Sequence, residues 1–435
     1  MTPVFLIVAG VLVLLLLRVP VAFAFAFGGI SLCLIYKISI TGCITNAFSI
    51  MTNFAILALP LFILLGTIIN RSGLARQLID FVYAVVGRAR SGLGVTLVCT
   101  NTLFGAISGA AAAALSALGT IFIPQLERKG YPRGHSTAFA LSASVLSLLI
   151  PPSGNSIFFG VLAQVSVVLL FAATLVPGLI LTILLCIIQV ILARRIPTIQ
   201  AAPKISYAEQ AKNIVRSGKN CFFVLLLPFL IMGVIYSGMA TPTEAASVSV
   251  VYGIFISWVI YRAIDHKALW QAVLEAGKLV GILLIMFLFV FMFVRVLIIE
   301  GVPAYLLDFL LGISTNKAVI LLMFNIILFI TGMFMEDTIG LMLAAFIYMP
   351  AAKMAGIDPL HFASIVAVNL GMGLITPPVA PLLYLGGIIA NIPLREYLKP
   401  TLYCIIFGFL PTILLVTYVP EICLALPRFI VALRG

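Results

Sequence analysis

Charged side chains are scarce in this sequence: 9% of its 435 residues are Asp, Glu, Lys or Arg, against about 25% in soluble domains. With 63% of the chain hydrophobic, no soluble fold could cover the apolar surface. Period-two alternation of apolar and polar residues is also missing. The apolar runs are continuous and rich in Leu, Ile and Phe, which excludes a transmembrane β-barrel. Histidine is rare, with His135, His266 and His361 at no ligand spacing, and the cysteines (Cys33, Cys43, Cys99, Cys186, Cys221, Cys404, Cys423) form no CxxC pair. No zinc site or disulfide framework is expected, and the thiols read as buried apolar groups. The GxxxxGK[ST] phosphate loop and the HExxH pattern are absent too. The chain is therefore not expected to be an enzyme or to carry a cofactor, and an ion gradient must drive whatever work it does.

What is present is a series of apolar segments, such as residues 221–237, 279–294 and 401–418, near the roughly 20 residues needed to cross the hydrocarbon core as a helix. About ten to a dozen such segments fit, so the expected fold is an all-α polytopic membrane protein. Met1-Thr2-Pro3 and the run Val4 to Leu17 lack the basic n-region and small-residue cleavage site of a signal peptide, and read as the first helix. The net charge of +12 does not point to nucleic acid, because the basic residues sit between apolar spans. They cluster at Arg71 to Arg90, Arg128 to Arg133, Arg194 to Lys219 and Arg262 to Lys278, as expected of cytoplasmic loops.

The longest polar stretch, residues 197–219, divides the chain into halves that repeat. Adding 226 to the numbers of Pro124, Gly130, Pro151, Pro152 and Gly160 gives Pro350, Gly356, Pro377, Pro378 and Gly386. Upstream of each proline pair lies an apolar segment interrupted by small or polar residues, Ala106 to Ala110 in the first half and Gly332 to Asp337 in the second. Each reads as a helical hairpin dipping into the membrane. The first is flanked by Arg88 and Arg90, then by Arg128, Lys129 and Arg133; the second only by Lys317, then Lys353, Asp358 and His361. That contrast predicts inverted repeats. The expected division is N-terminal scaffold helices over 1–90, a first repeat core over 91–193 and a cytoplasmic linker over 194–219. Scaffold helices of the second half follow over 220–315, a second repeat core over 316–399 and a C-terminal helix over 400–435.

After each hairpin comes a helix broken in mid-membrane, at Pro151-Pro152-Ser153-Gly154-Asn155 and at Thr376-Pro377-Pro378. Consecutive prolines remove two amide donors and clash with the preceding turn. Unpaired backbone at membrane depth is tolerated only inside protein or beside a cavity, and broken helices are where transporters bind ions and substrates. One such break could merely kink a helix; two at equal spacing argue for function. Freed carbonyls suit sodium, and half-helix N-termini suit a carboxylate. Ser108 and Gly109 at the first tip offer an oxygen and a tight turn, within a small-residue face, Ala110 to Ala114 with Ser116, that also favours close packing. Ser153, Asn155 and Thr376 read as functional, although each could instead bond to its own helix, and Ser156 stays undecided. Arg295 is the one charge between Lys278 and Glu300. It suits a substrate carboxylate, with snorkelling to the interface as the alternative. Glu336 and Asp337, at the second tip, could bind a cation or substrate or pair with Arg295.

Asn53-Phe54 through Pro60 to Gly66, Phe104-Gly105-Ala106-Ile107-Ser108-Gly109 and Ile150-Pro151-Pro152-Ser153 resemble the large membrane subunit of TRAP transporters. Gly356-Ile357-Asp358-Pro359 with His361-Phe362, and Gly373-Leu374-Ile375-Thr376-Pro377-Pro378-Val379, resemble that family's second repeat, so the resemblance covers nearly the whole chain. It implies a sodium-driven tripartite system in the bacterial inner membrane. A periplasmic binding protein delivers an organic acid to a small four-helix subunit paired with this large one, which carries scaffold helices and an elevator domain with two hairpins. By that resemblance sodium is held around Ser108, Gly109, Pro151, Pro152, Ser153, Asn155, Gly332, Thr376, Pro377 and Pro378, and Arg295 and Asp337 handle substrate, with Ser153 and Asn155 beside it. Many members carry a Ser-Gly-Ser tip followed by an acid, where this chain has Ser108-Gly109-Ala110 and Ala114. Sialic acid, C4-dicarboxylates and other sugar or keto acids remain open as substrates. A stand-alone sodium symporter without a binding protein is the alternative. An intramembrane enzyme acting on lipid-linked substrates would need more acidic or His groups than this chain has.

Overall fold

A computed structural model describes residues 2–17, 19–88, 91–200 and 206–433. Among them every regular element is helical. Arg90 and Lys204 of the basic clusters lie outside the described residues. Among the described residues seven helices are long and apolar enough to cross a bilayer, or eight if one bent pair counts as a span. This is fewer than the apolar runs in the sequence suggest, because several runs form shorter helices that reach only part of the way.

The two repeats are built mostly of shorter helices, with Lys317–Phe334 one of the seven long ones. In the first, arms Gly92–Ser108 and Ala111–Arg128 meet at Gly109, whose φ of 62° puts it in the left-handed region that glycine enters without a Cβ clash. The helix Arg133–Ser144 follows and continues as Leu146–Leu149. The chain then breaks and resumes as Gly154–Leu162 at 45° to the first half. In the second repeat the arm Lys317–Phe334 ends in extended backbone at Met335 and Glu336. The return arm starts at Asp337–Leu343 and ends at Met349–Met354. Pro359–Gly373, a second break and Pro381–Ala390 complete it. The matched positions share conformation: Pro151-Pro152 and Pro377-Pro378 are both cis, and Gly130 and Gly356 have φ of 86° and 71°.

A single helix shows the inversion. Val167–Arg194 has 28 residues and spans about 42 Å at 1.5 Å per residue. Just before its start, Ala163 O accepts a hydrogen bond from Lys353 Nζ at the foot of the second hairpin, 3.3 Å away. Just beyond its end, the Gln200 N–H donates to Lys129 O at the foot of the first, at 3.0 Å. The hairpins therefore enter from opposite faces. The repeats also exchange partners: Gly154–Leu162 packs on Asp337–Leu343, while Pro381–Ala390 packs on Ala111–Arg128.

Around this core, His266–Ile299 packs along Val21–Ile35, Ile40–Met51 and Ala58–Arg71. Residues 207–219 of the expected linker are not loop but the start of Tyr207–Tyr236, capped by Ser206 Oγ accepting from the Glu209 N–H at 3.1 Å. At the C-terminus one expected helix is two, since a span over Leu394–Tyr418 is followed by Glu421–Leu433.

The second hairpin lies against the second broken helix through two glycines. A Cβ on Gly332 would sit 3.0 Å from Leu370 Cα, and one on Gly373 would run into the Gly332 backbone. Replacing Gly373 by Val is expected to destabilise the protein by about 1–3 kcal/mol, the range for overpacking, and to lower its melting temperature in detergent. Gly277→Ala, where nothing lies within 4 Å, is the matched control. A Gly373→Val protein melting like wild type would show that the close approach is not required.

Candidate functional site

Each hairpin tip covers the break of its own repeat. In the first, Ile150 precedes Pro151 and is pushed into extended backbone, φ −83° and ψ 119°, which ends the helix before it. Pro151 and Pro152 have no N–H to give the carbonyls of Ser147 and Leu148, the acceptors four residues earlier. The Ser108-Gly109 turn lies over this gap: a Cβ on Gly109 would be 2.9 Å from Gly154 N and 3.7 Å from Pro152 O. Ser108 is 2% exposed, and its Oγ is buried with no hydrogen-bond partner. Ser153 is fully buried, and its Oγ accepts from the Ser156 N–H at 3.4 Å, capping the new half-helix.

In the second repeat, Met333 O near the hairpin tip accepts from the Ala380 N–H at 3.0 Å, and Gly332 touches Gly373 on the other flank of the break. The lost proline bonds are replaced locally. Gly373 O accepts from the Thr376 N–H at 2.9 Å and Leu374 O from the Leu383 N–H at 3.2 Å. Thr376 Oγ1 donates to Met372 O at 2.8 Å, and Tyr384 OH to Pro378 O at 2.8 Å.

A side-chain bond joins the two clusters. Asn155 Nδ2, on the first half-helix, donates to Asp337 Oδ2, on the second hairpin, at 2.7 Å. Next to it, Glu336 Oε1 accepts from Thr338 Oγ1 at 3.3 Å while Oε2 is buried without a partner. Asp337 thus supplies the carboxylate that the first half-helix N-terminus favours.

The structure gathers Ser108, Gly109, Pro151, Pro152, Ser153 and Asn155 at one centre and Gly332, Thr376, Pro377 and Pro378 at the other. Arg295 stands apart from both in its bonding. It is exposed on His266–Ile299, and no ion pair among the described residues includes it. The polar residues inside the hairpin arms and the broken helices beside them were not read from the sequence. Asn101 Oδ1 on the first arm is buried without a partner, as is Ser147 Oγ, which faces Gly105 one turn further along that arm. In the second repeat Asn369 Nδ2 donates to Asn325 Oδ1 at 2.7 Å, and Asn325 Nδ2 to Thr417 Oγ1 at 3.0 Å. A lone Asn within an apolar run was the available signal. Hydroxyl, amide and backbone oxygens at such breaks suit a hard monovalent cation. If Asn155–Asp337 couples the repeats, Asn155→Ala and Asp337→Asn should be non-additive in a double-mutant cycle on thermal stability. The expected coupling is about 1–2 kcal/mol; additive losses would show that the bond does not link them.

The comparisons with known proteins agree with this architecture. Residues 8–422 match the family model described as "Tripartite ATP-independent periplasmic transporter, DctM component". The chain is 34% identical over 403 residues to the C4-dicarboxylate TRAP transporter large permease protein DctM of Pseudomonas aeruginosa, covering 93% of each. It is 31% identical to the sialic acid TRAP transporter large permease protein SiaM of Vibrio cholerae, covering 86% of this chain and 87% of the relative. In fold it is similar to the crystal structure of the Alcanivorax borkumensis YdaH transporter, with a TM-score of 0.63, 88% of each chain covered and 17% identity. A polytopic helical chain with two hairpins over two broken helices, matched over nearly its whole length, belongs to the DctM component family of tripartite ATP-independent periplasmic transporters.

Proposed function

We propose that this chain is the large membrane subunit of a sodium-coupled secondary transporter in a bacterial inner membrane, importing a small organic acid. In this reading it works with a small four-helix membrane subunit and a periplasmic binding protein. The observation that carries the reading is Ser108 Oγ, a buried hydroxyl without a hydrogen-bond partner where a hairpin tip covers a helix break. A buried polar atom left unpaired costs about 1–3 kcal/mol, and a bound sodium ion would offset that cost. The second tip and break provide a related centre from Thr376, the backbone around Pro377 and Pro378, and Gly332. Relatives named for C4-dicarboxylate, for sialic acid and for isethionate support a small organic anion as the substrate class. Its negative charge suits the N-terminal ends of Gly154–Leu162 and Pro381–Ala390, with Arg295 as a further cation along its path.

The packing supports a moving body. The hairpins and broken helices interlock, and in this reading His266–Ile299, Val21–Ile35 and Tyr207–Tyr236 are the scaffold around them. Elevator transport is the sliding of the first body past the second with ions and substrate enclosed. A stand-alone symporter would use the same core without the binding protein, and one experiment separates the two. Labelled succinate and sialic acid are offered to proteoliposomes holding this chain and its small partner, with and without a sodium gradient and the binding protein. Uptake of one substrate is expected only when both are present. Pro152→Ala with Ser153→Ala should weaken sodium dependence more than expression. Uptake without the binding protein would favour the symporter, and a double variant lowering protein level alone would overturn the assigned sodium site.

A further inference from the structure

A groove of about 910 Å³ that the transport site does not use lies at the basic end of Val167–Arg194. It lies between that helix, the start of Arg133–Ser144 and the helix Leu394–Cys404 with its continuation to Phe407. Its walls are apolar: Ile187, Ile191 and Phe407 line it and are 48%, 48% and 57% exposed. One end carries three cations, Arg133, Arg195 and Lys399, against a single acid, Glu396. Ile187 stands eight residues from Arg195 on one helix, about 12 Å along its axis. An apolar wall of that depth ending in clustered positive charge has the profile of an amphiphile with an anionic head.

We infer that this groove is a binding site for an anionic glycerophospholipid, its phosphate held by Arg133, Arg195 and Lys399 and its acyl chains lying along Ile187, Ile191 and Phe407. Basic pockets between spanning helices on the cytoplasmic side recognise such head groups. Arg133 supplies an independent sign. Its Nη1 reaches Glu127 Oε2 only at 3.6 Å and its side chain is 39% exposed, leaving guanidinium N–H donors for a phosphate oxygen. The groove touches both halves of the chain, since Leu394–Cys404 follows the second repeat and packs on Arg133–Ser144 of the first. A lipid seated there braces the contact between the repeats.

The full chain, purified in a mild detergent and stripped of lipid, is titrated in native mass spectrometry with phosphatidylglycerol or phosphatidylcholine of matched chains, or with inorganic phosphate. Wild type should retain phosphatidylglycerol over phosphatidylcholine by about tenfold or more, given three cations at the head group. Arg133→Gln/Arg195→Gln/Lys399→Gln should abolish the preference. Lys212→Gln/Arg216→Gln/Lys219→Gln, with the same loss of charge elsewhere, should keep it. If the first variant does not purify, the exposed Lys399→Glu takes its place with the same expected loss. Retention unchanged by these substitutions, equal loss in the control, or displacement of the lipid by phosphate alone would overturn the proposal. So would a second copy of the chain taking the lipid's place in the groove.

Discussion

Backbone amides and carbonyls at the centre of a bilayer have no water to bond to, and each one left unpaired costs several kcal/mol. Two breaks, at Pro151-Pro152 and at Pro377-Pro378, place such groups where lipid cannot satisfy them. The hairpins exist in answer to this. Gly109 lies over Gly154 and Pro152, and Met333 O takes the Ala380 N–H. The glycines at the contacts, Gly109 in the first repeat and Gly332 with Gly373 in the second, follow, since only a short side chain or none lets one backbone close on another. The reciprocal packing follows as well, because each half-helix, once bent away from its first half, must bury its apolar sides against the other repeat.

The two centres are built alike but are not electrostatically equal. At the first, Asp337 reaches across from the second repeat to Asn155 and sets a carboxylate near a half-helix N-terminus. At the second no acidic side chain among the described residues bonds across, and the break is tied by Thr376, Leu383 and Tyr384 within its own repeat. Sequence equivalence at the prolines and glycines therefore coexists with a difference in charge. In the proposed cycle that difference leaves the second half-helix the freer of the two to receive an anion.

Most of the fold was legible because it is written in proline, glycine and charge. Pro151-Pro152 and Pro377-Pro378 marked the breaks, Ser108-Gly109 marked a tip, and the arginines flanking one hairpin alone marked the inversion. The exchange of half-helices was not legible, since an apolar face carries no sign of which partner it meets. Asn101 and Ser147, and Asn325 with Asn369, were missed for a related reason. A polar residue in an apolar run shows that it is buried, but not whether a neighbour satisfies it. The pairing of Asp337 was one of several readings the sequence left open, and the choice of Asn155 over Arg295 emerges only when the second hairpin is folded over the first half-helix.

The most direct measurement is the melting temperature of the purified chain in sodium against potassium, for wild type and Ser108→Ala. Removing a buried hydroxyl that has no protein partner should leave the fold as stable in potassium, or slightly more so. If Ser108 Oγ is an ion ligand, sodium should raise the melting temperature of wild type by mass action and do so much less in the variant. An equal sodium-dependent rise in both proteins, or none in wild type, would contradict the central claim that the covered helix breaks hold the coupling ion.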